Sequence, residues 1–155
     1  MKKDIFIDTN IACRFSNPMD QELIKLLNWL INTRQEGDAA YLVVSQKLLN
    51  EYYSSCRGAK SDTSIPVLID SLLKDGRLIK ITKAQIEAFQ EEYYTKAIVK
   101  RLRANNEDRN HIPVVLLSDR KYALTNDQNF AYDLEHFPGF SVQVSSRPEE
   151  IPYSS

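Results

Sequence analysis

Residues 5–10 read Ile5-Phe6-Ile7-Asp8-Thr9-Asn10, an apolar β-prone run followed by an acid and two residues that favour a turn or a helix cap. Similar short runs recur along the chain, with longer helix-like stretches between them. The predicted strands are Ile5–Ile7, Tyr41–Val44, Leu78–Ile81, Tyr122–Leu124 and Val142–Val144. This alternation predicts an α/β fold with three α/β/α layers around a central, mainly parallel sheet of about five strands.

Helical periodicity fills the segments between the strands. The predicted helices are Gln21–Asn32, Gln46–Ser55 after a cap at Ser45, Ile65–Leu73, Lys83–Ala104 and Asp108–Leu117. We expect a mobile surface loop at Arg57–Ser64 and a tail that frays after Arg147. The predicted organisation is one domain over residues 1–147 and a C-terminal tail over residues 148–155.

Composition narrows the function classes. The chain has 155 residues, 20 Lys and Arg against 21 Asp and Glu, and 43% hydrophobic residues, which is typical of a globular domain. A domain of this size can form a stable core without a disulfide or a structural metal. The chain has only four glycines, and they lie too far apart in the sequence to form a Walker loop or a dinucleotide-binding turn. The near-zero net charge argues against a strongly basic nucleic-acid clamp.

The N-terminus and the cysteines bear on location. Asp8 interrupts the first apolar stretch, Ile5–Ile7, and no run approaches the roughly 18 apolar residues of a membrane span, so we expect no export signal and no membrane contact. Cys13 and Cys56 lack the spacing of a disulfide framework or a zinc site. We therefore expect two small buried thiols in a cytoplasmic protein.

Four acids occupy positions where they could share a site. Asp8 and Asp127 follow predicted strands, so both should emerge at the carboxyl edge of the sheet, where parallel sheets bind ligands. Glu51 lies at the rim of a buried helix face, and Asp108 opens a late helix. Each also has an ordinary structural explanation as a helix cap, a turn residue or a solvated acid.

The order of these motifs resembles that of the PIN-domain ribonucleases, and the short chain resembles the VapC-like toxins of toxin–antitoxin systems. The likeness covers nearly the whole chain. The motifs are residues 5–10, Ser45-Gln46-Lys47-Leu48-Leu49-Asn50-Glu51, Asp108-Arg109-Asn110-His111-Ile112 and Leu124-Thr125-Asn126-Asp127. Two positions depart from the family pattern: Pro113 interrupts the usual alanine-rich late helix, and Asn129 stands where many members have another acid.

The resemblance implies a metal-dependent ribonuclease. Its catalytic and metal-binding residues would be Asp8, Glu51, Asp108 and Asp127, holding Mg²⁺ or Mn²⁺. Supporting residues beside these ligands would be Thr9, Asn10, Thr125 and Asn126. It also implies an RNA substrate, an antitoxin protein partner and a homodimer. The alternative is a non-catalytic PIN-like module that binds RNA or protein.

Residues 96–121 carry seven basic residues against three acids, a local excess that could contact RNA phosphates. The candidate RNA contacts are Arg101, Arg103, Arg109 and His111. A solvated loop with cations that complement a helix C-terminus explains the charge equally well, and a structural role suits His111. A haloacid-dehalogenase-like phosphatase would need a second Asp at position 10, where this chain has Asn10.

Overall fold

The computed structural model describes residues 1–56 and 65–155, so the loop predicted at residues 57–64 lies outside the described residues. The described part contains five strands, which are β1 (Lys3–Ile7), β2 (Ala40–Val44), β3 (Leu78–Lys80), β4 (Tyr122–Leu124) and β5 (Gln143–Ser145). They form one sheet in the order β3-β2-β1-β4-β5, and every pair is parallel. The predicted parallel α/β sheet is confirmed.

Eight α-helices accompany these strands in the described ranges. They are α1 (Thr9–Ala12), α2 (Gln21–Asn32), α3 (Gln46–Ser55), α4 (Ile65–Lys74), α5 (Lys83–Tyr93), α6 (Lys96–Arg101), α7 (Ile112–Leu116) and α8 (Gln128–Glu135). The predicted bounds of α2 and α3 are confirmed, since Asp20 and Ser45 cap their first turns through side-chain oxygens.

The helix predicted over Lys83–Ala104 is wrong as a continuous element. It divides into α5 and α6 because the Thr95 hydroxyl accepts a hydrogen bond from the Ile98 amide at 3.2 Å and starts a new helix there. Threonine, unlike a straight-chain residue, can cap the backbone in this way. The break turns the chain before it reaches the acid at position 108.

The helix predicted over Asp108–Leu117 is also interrupted. Asp108–Asn110 form a single 3₁₀ turn, and α7 begins only at Ile112. Pro113 has no amide N–H to donate to the carbonyl of Arg109, and the Tyr94 hydroxyl donates to that carbonyl instead. Asp108 is therefore held by a tight turn rather than by a regular helix.

The chain order places the candidate acids at one point of the sheet. Helices α1–α4 connect β1 to β2 and β3, whereas α5–α8 connect β3 to β4 and β5. Right-handed crossovers therefore put the two sets on opposite faces, and the described contacts pair α2 with α4 and α7 with α8. The direction of winding reverses between β1 and β4, which is where such sheets bind ligands.

The core formed by the described residues is mainly apolar on both faces of the sheet and includes the buried guanidinium of Arg77. Phe6, Val43 and Ala123, on the three central strands, are fully buried. Arg77 is 3% exposed and donates to the carbonyls of Ile31 at 3.0 Å and Ala40 at 3.1 Å, as well as to Asp75. It satisfies carbonyls at the C-terminal end of α2 that would otherwise be unpaired.

The expectation of two separate buried thiols is wrong. Cys13, at the end of α1, and Cys56, at the end of α3, form a disulfide with their Cα atoms 4.8 Å apart, and both residues are partly exposed. Sequence spacing gave no indication of this pair because the two cysteines meet only when α1 packs on α3. The bond links the helix that follows Asp8 to the helix that carries Glu51.

The tail expected to fray after Arg147 is instead packed against the domain. Ile151 is buried, Tyr153 meets Trp29 edge to face, and Arg120 donates to the Tyr153 carbonyl at 2.8 Å. Arg147 itself pairs with Asp20 at 2.7 Å. Across the described residues, none of the helices is both long enough and apolar enough to cross a membrane.

Candidate active site

Asp8 leaves β1 at the carboxyl edge of the sheet and is held by three hydrogen bonds. Its carboxylate accepts from the Thr9 amide at 2.9 Å, from the Asn10 side chain at 3.3 Å and from the Thr125 hydroxyl at 2.6 Å. Burial raises the pKa of Asp8 in spite of these donors, and the nearby Glu51 charge acts in the same direction. Asp8 thus caps α1 and also lies in a buried environment near another acidic side chain.

The exits of β1 and β4 are joined by side chains predicted to support the site. The buried Thr125 hydroxyl donates to Asp8 and accepts from the Asp127 amide at 3.0 Å. The Asn10 side-chain oxygen accepts from the Asn126 amide at 3.0 Å. These bonds fix the Asp8 and Asp127 backbones relative to each other, as pairing of β1 with β4 requires.

Glu51 projects from α3 toward His111, which precedes α7. The His111 Nε2 atom lies 2.7 Å from one Glu51 oxygen and 3.1 Å from the other. The imidazole is 1% exposed and packs against Phe6 and Phe130. The hypothesis that His111 contacts RNA is therefore wrong, because its ring is enclosed by the core and orients a carboxylate instead.

Asp108 and Asp127 complete the acidic centre. The pKa of Asp108 is raised to about 6, first by burial, then by the hydrogen-bonded contact with Asp127 and by the charges of Asp127 and Asp8. Asp127 caps α8, with one oxygen accepting from the amides of Asn129 and Phe130. All four predicted acids therefore lie near enough for their charges to interact: Glu51 acts on Asp8, and Asp8 and Asp127 act on Asp108.

The donor atoms suit a hard divalent cation. Ligand atoms of Glu51, Asp108 and His111 all lie within 4.8 Å of one another, and the carboxylates of Asp8 and Asp127 adjoin them. Carboxylate oxygens are the ligands that Mg²⁺ and Mn²⁺ prefer. Like charges this close raise each other's pKa, and a cation among them would relieve that repulsion.

Basic residues of the 96–121 stretch are divided between two edges of the sheet. Arg101 and Arg103 are exposed beside the turn that holds Asp108. Arg109 is half-buried and donates from Nε to the Ala104 carbonyl at 3.0 Å. Arg120 lies just before β4, at the amino edge, where it donates to backbone carbonyls. The local charge excess is not one continuous patch.

Comparison with known proteins is informative about the fold. No family model matches the chain, and no curated protein matches it. Among solved structures, it is similar to the VapBC2 complex of Rickettsia felis bound to a DNA fragment from its promoter, with 19% identity, a TM-score of 0.56, and coverage of 91% of this chain and 98% of that one. The likeness shows a shared fold. It is consistent with a PIN-like architecture.

Three residues of this site were missed or misassigned by sequence reasoning. The fully buried Tyr52 donates its hydroxyl to the Ile7 carbonyl and fixes α3 against the end of β1. Arg14 is exposed, and the Asn126 amide, with its oxygen turned toward Arg14, accepts from that guanidinium at 2.9 Å. Only His111 gave a sequence signal, because it lies three residues after Asp108.

Proposed function

We propose that this chain is a metal-dependent nuclease that hydrolyses RNA phosphodiester bonds. The observation that supports this proposal best is the convergence of Asp8, Glu51, Asp108 and Asp127 at the winding reversal, with raised pKa values at Asp8 and Asp108. Carboxyl groups with perturbed pKa values in a cleft are characteristic of functional sites.

The residues around the acids hold them in place. Thr125, Asn10 and the Thr9 amide fix the Asp8 carboxylate, so its second oxygen keeps a defined direction. His111 does the same for Glu51. Asp127 uses one oxygen on the α8 amides and retains the other for a ligand. Such preorganisation is what binding and hydrolytic sites require.

A bound Mg²⁺ or Mn²⁺ would supply the Lewis acidity that activates water and neutralises charge on the scissile phosphate. The protein side chains bind and orient; none of the four carboxylates needs to act as a nucleophile. Arg14, Arg101 and Arg103 are exposed cations around the acids and would hold neighbouring phosphates of the RNA. Arg109 contributes less, because its guanidinium is committed to the Ala104 carbonyl.

The decisive experiment is cleavage of a mixed cellular RNA pool with and without Mn²⁺, with the product ends mapped. We expect metal-dependent cleavage by the wild type and none by Asp8→Asn. Asp70→Asn is the matched control, because Asp70 is exposed on α4 and, within the described ranges, forms an ion pair with Lys74. Equal cleavage by wild type and Asp8→Asn would overturn the assignment.

The competing function is a non-catalytic PIN-like module that binds RNA or protein. Metal titration separates it from the nuclease, because a binding module would retain RNA without any Mg²⁺- or Mn²⁺-dependent turnover. The intact set of four acids favours the nuclease. RNA retention by the wild type with no turnover across a full metal series would favour the module.

A role as the toxin of a toxin–antitoxin pair extends the proposal. Support comes from the solved VapBC2 complex, whose fold this chain shares. On this reading the chain acts in the cytoplasm, pairs with a small antitoxin protein and forms a homodimer. Growth arrest on expression, relieved by a protein encoded beside this chain, would support the role, and light scattering would give the oligomeric state.

A further inference from the structure

A cavity of about 290 Å³ lies between α6 and α8, the helix that Asp127 caps. Its lining combines cations, aromatic rings and apolar side chains, namely Arg101, Leu102, Arg103, Tyr132, His136 and Phe137. The volume is at the small end of ligand sites, so it suits a compact planar group rather than an extended molecule. None of these side chains takes part in the acidic centre itself.

Three planar groups are stacked along one wall of this cavity. The Arg103 guanidinium carbon lies 3.5 Å from the centre of the Tyr132 ring, and the His136 ring lies 3.9 Å from the same centre at an interplanar angle of 21°. Two groups this close to one ring centre must cover its opposite faces. Arg103 and His136 are both exposed, so the planes that face away from Tyr132 are accessible to another flat group.

The stack of Arg103, Tyr132 and His136 is held in place by hydrogen bonds to the backbone. Asp133 is 3% exposed, and its carboxylate accepts from the backbone amides of Arg103 and Ala104, each at 2.8 Å. The Nδ1 atom of His136 lies 2.9 Å from the Tyr132 carbonyl oxygen, and this contact fixes the imidazole ring. A ligand therefore meets groups that are already ordered, and it loses less free energy in ordering them.

The position of the cavity connects it with the site. Asp127 caps α8 and Tyr132 follows five residues later, about 7.5 Å along the helix axis at 1.5 Å per residue. Arg103, in the same stack, comes five residues before Asp108. The cavity therefore begins within about two helical turns of Asp127, a separation that a few nucleotides of a single strand can span.

We propose that this cavity binds a nucleobase of single-stranded RNA close to the cleaved phosphate, an inference that rests on the proposed nuclease function. The base stacks on an exposed plane of the Arg103–Tyr132–His136 stack, and Arg101 holds an adjacent phosphate. Single-stranded RNA is recognised mainly by stacking on aromatic side chains and guanidinium planes. Planarity and positive charge together match a nucleotide better than an acidic peptide, which needs no stacked ring.

The test uses binding in a non-cleaving background. Asp8→Asn protein is titrated in EDTA with fluorescein-labelled single-stranded RNA of about ten nucleotides, in which one abasic nucleotide is moved along the sequence. We expect one or two neighbouring positions at which loss of the base weakens binding roughly 5- to 100-fold, as a lost stacking contact does. In Asp8→Asn/Tyr132→Leu and Asp8→Asn/His136→Leu proteins, this positional penalty should disappear.

Control measurements separate stacking from charge and from misfolding. Lys100→Gln removes a nearby cation without touching the stack, so it should weaken binding at every position and keep the abasic penalty in place. Urea unfolding shows whether each variant is folded. An equal effect of the abasic nucleotide at all positions, or a penalty that survives in folded Tyr132→Leu and His136→Leu proteins, would overturn the cavity assignment.

The outcome is independent of whether the chain cleaves RNA. A positional penalty that depends on Tyr132, without cleavage by the wild type, supports the cavity and removes the nuclease proposal. Metal-dependent cleavage with no positional penalty removes the cavity and leaves the nuclease. Binding of an acidic peptide that competes with RNA at His136 would also count against a nucleobase site.

Discussion

Replacing Asp108 with asparagine should make the metal-free protein more stable while removing its ability to bind the metal. The carboxylate of Asp108 faces the charges of Asp127 and Asp8, and its pKa is raised from 3.8 to about 6. A group whose folded pKa is raised favours folding only while it is protonated. At neutral pH the ionised carboxylate of Asp108 is therefore repelled by the neighbouring charges, and this repulsion lowers the free energy of unfolding.

The magnitude follows from that pKa. A change from 3.8 to about 6 corresponds to roughly 3 kcal/mol between the two protonation states. Asp108 is partly exposed, so solvent screening reduces the figure, and we expect Asp108→Asn to gain about 1 kcal/mol at neutral pH. For a chain of this length, that corresponds to a rise of about 2–4 °C in Tm.

Urea and thermal unfolding in EDTA, at about pH 7.5 and about pH 4, measure this effect. At neutral pH the variant should be the more stable protein, and the difference should shrink toward pH 4 because the wild-type carboxyl group then becomes protonated. In Mg²⁺ the wild type should be the more stable protein. A ligand that binds the native state stabilises that state, and we expect only the wild type to bind the metal. Asp70→Asn should change neither ranking.

Two results would refute this reasoning. An Asp108→Asn protein that is less stable than wild type in EDTA at neutral pH would mean that the carboxylate makes a favourable contact rather than a crowded one. A stabilisation by Mg²⁺ equal to that of the wild type would mean that Asp108 does not belong to the metal site. Either result can be obtained without any RNA substrate.

Three further predictions concern the disulfide, the buried arginine and pH. Cys13→Ser should lower the free energy of unfolding by about 4 kcal/mol, as expected for a cross-link between residues 43 apart, and urea midpoints that match with and without reductant would contradict this. Arg77→Met should cost roughly 3 kcal/mol in chemical denaturation because it leaves buried carbonyls unpaired, whereas the exposed Arg34→Met should cost far less. Mn²⁺ affinity measured calorimetrically should fall as the pH drops through about 6, since protonated Asp108 is a poor ligand, and constant affinity down to about pH 5 would argue against its role.

Much of the fold could be predicted from local pattern. The five strands and the bounds of α2 and α3 follow from runs of β-prone residues, helical periodicity and side-chain caps, all of which act over a few residues. The breaks before α6 and α7 were missed. They depend on the cap at Thr95 and on the Tyr94 bond to the Arg109 carbonyl, a contact between residues 15 apart.

The candidate site, like the fold, could be predicted from the sequence only in part. Asp8 and Asp127 could be placed at the carboxyl edge from the sequence, because each follows a strand and parallel strands end at a common edge. Glu51 and Asp108 were weak signals that gained meaning from their order along the chain. The His111 contact with Glu51 joins residues 60 apart, and no local pattern encodes it.

The sequence by itself determined the fold class, the order of the strands along the chain and the set of four acids, because propensity, capping and strand exits are local properties. Only the tertiary structure decided how those acids interact. Packing of β1 beside β4 brought Asp8 close to Asp127, burial raised the pKa values of Asp8 and Asp108, Phe6 and Phe130 enclosed His111, and packing of α1 on α3 paired Cys13 with Cys56. These properties depend on distance and desolvation between remote residues, and both arise only when the chain is folded.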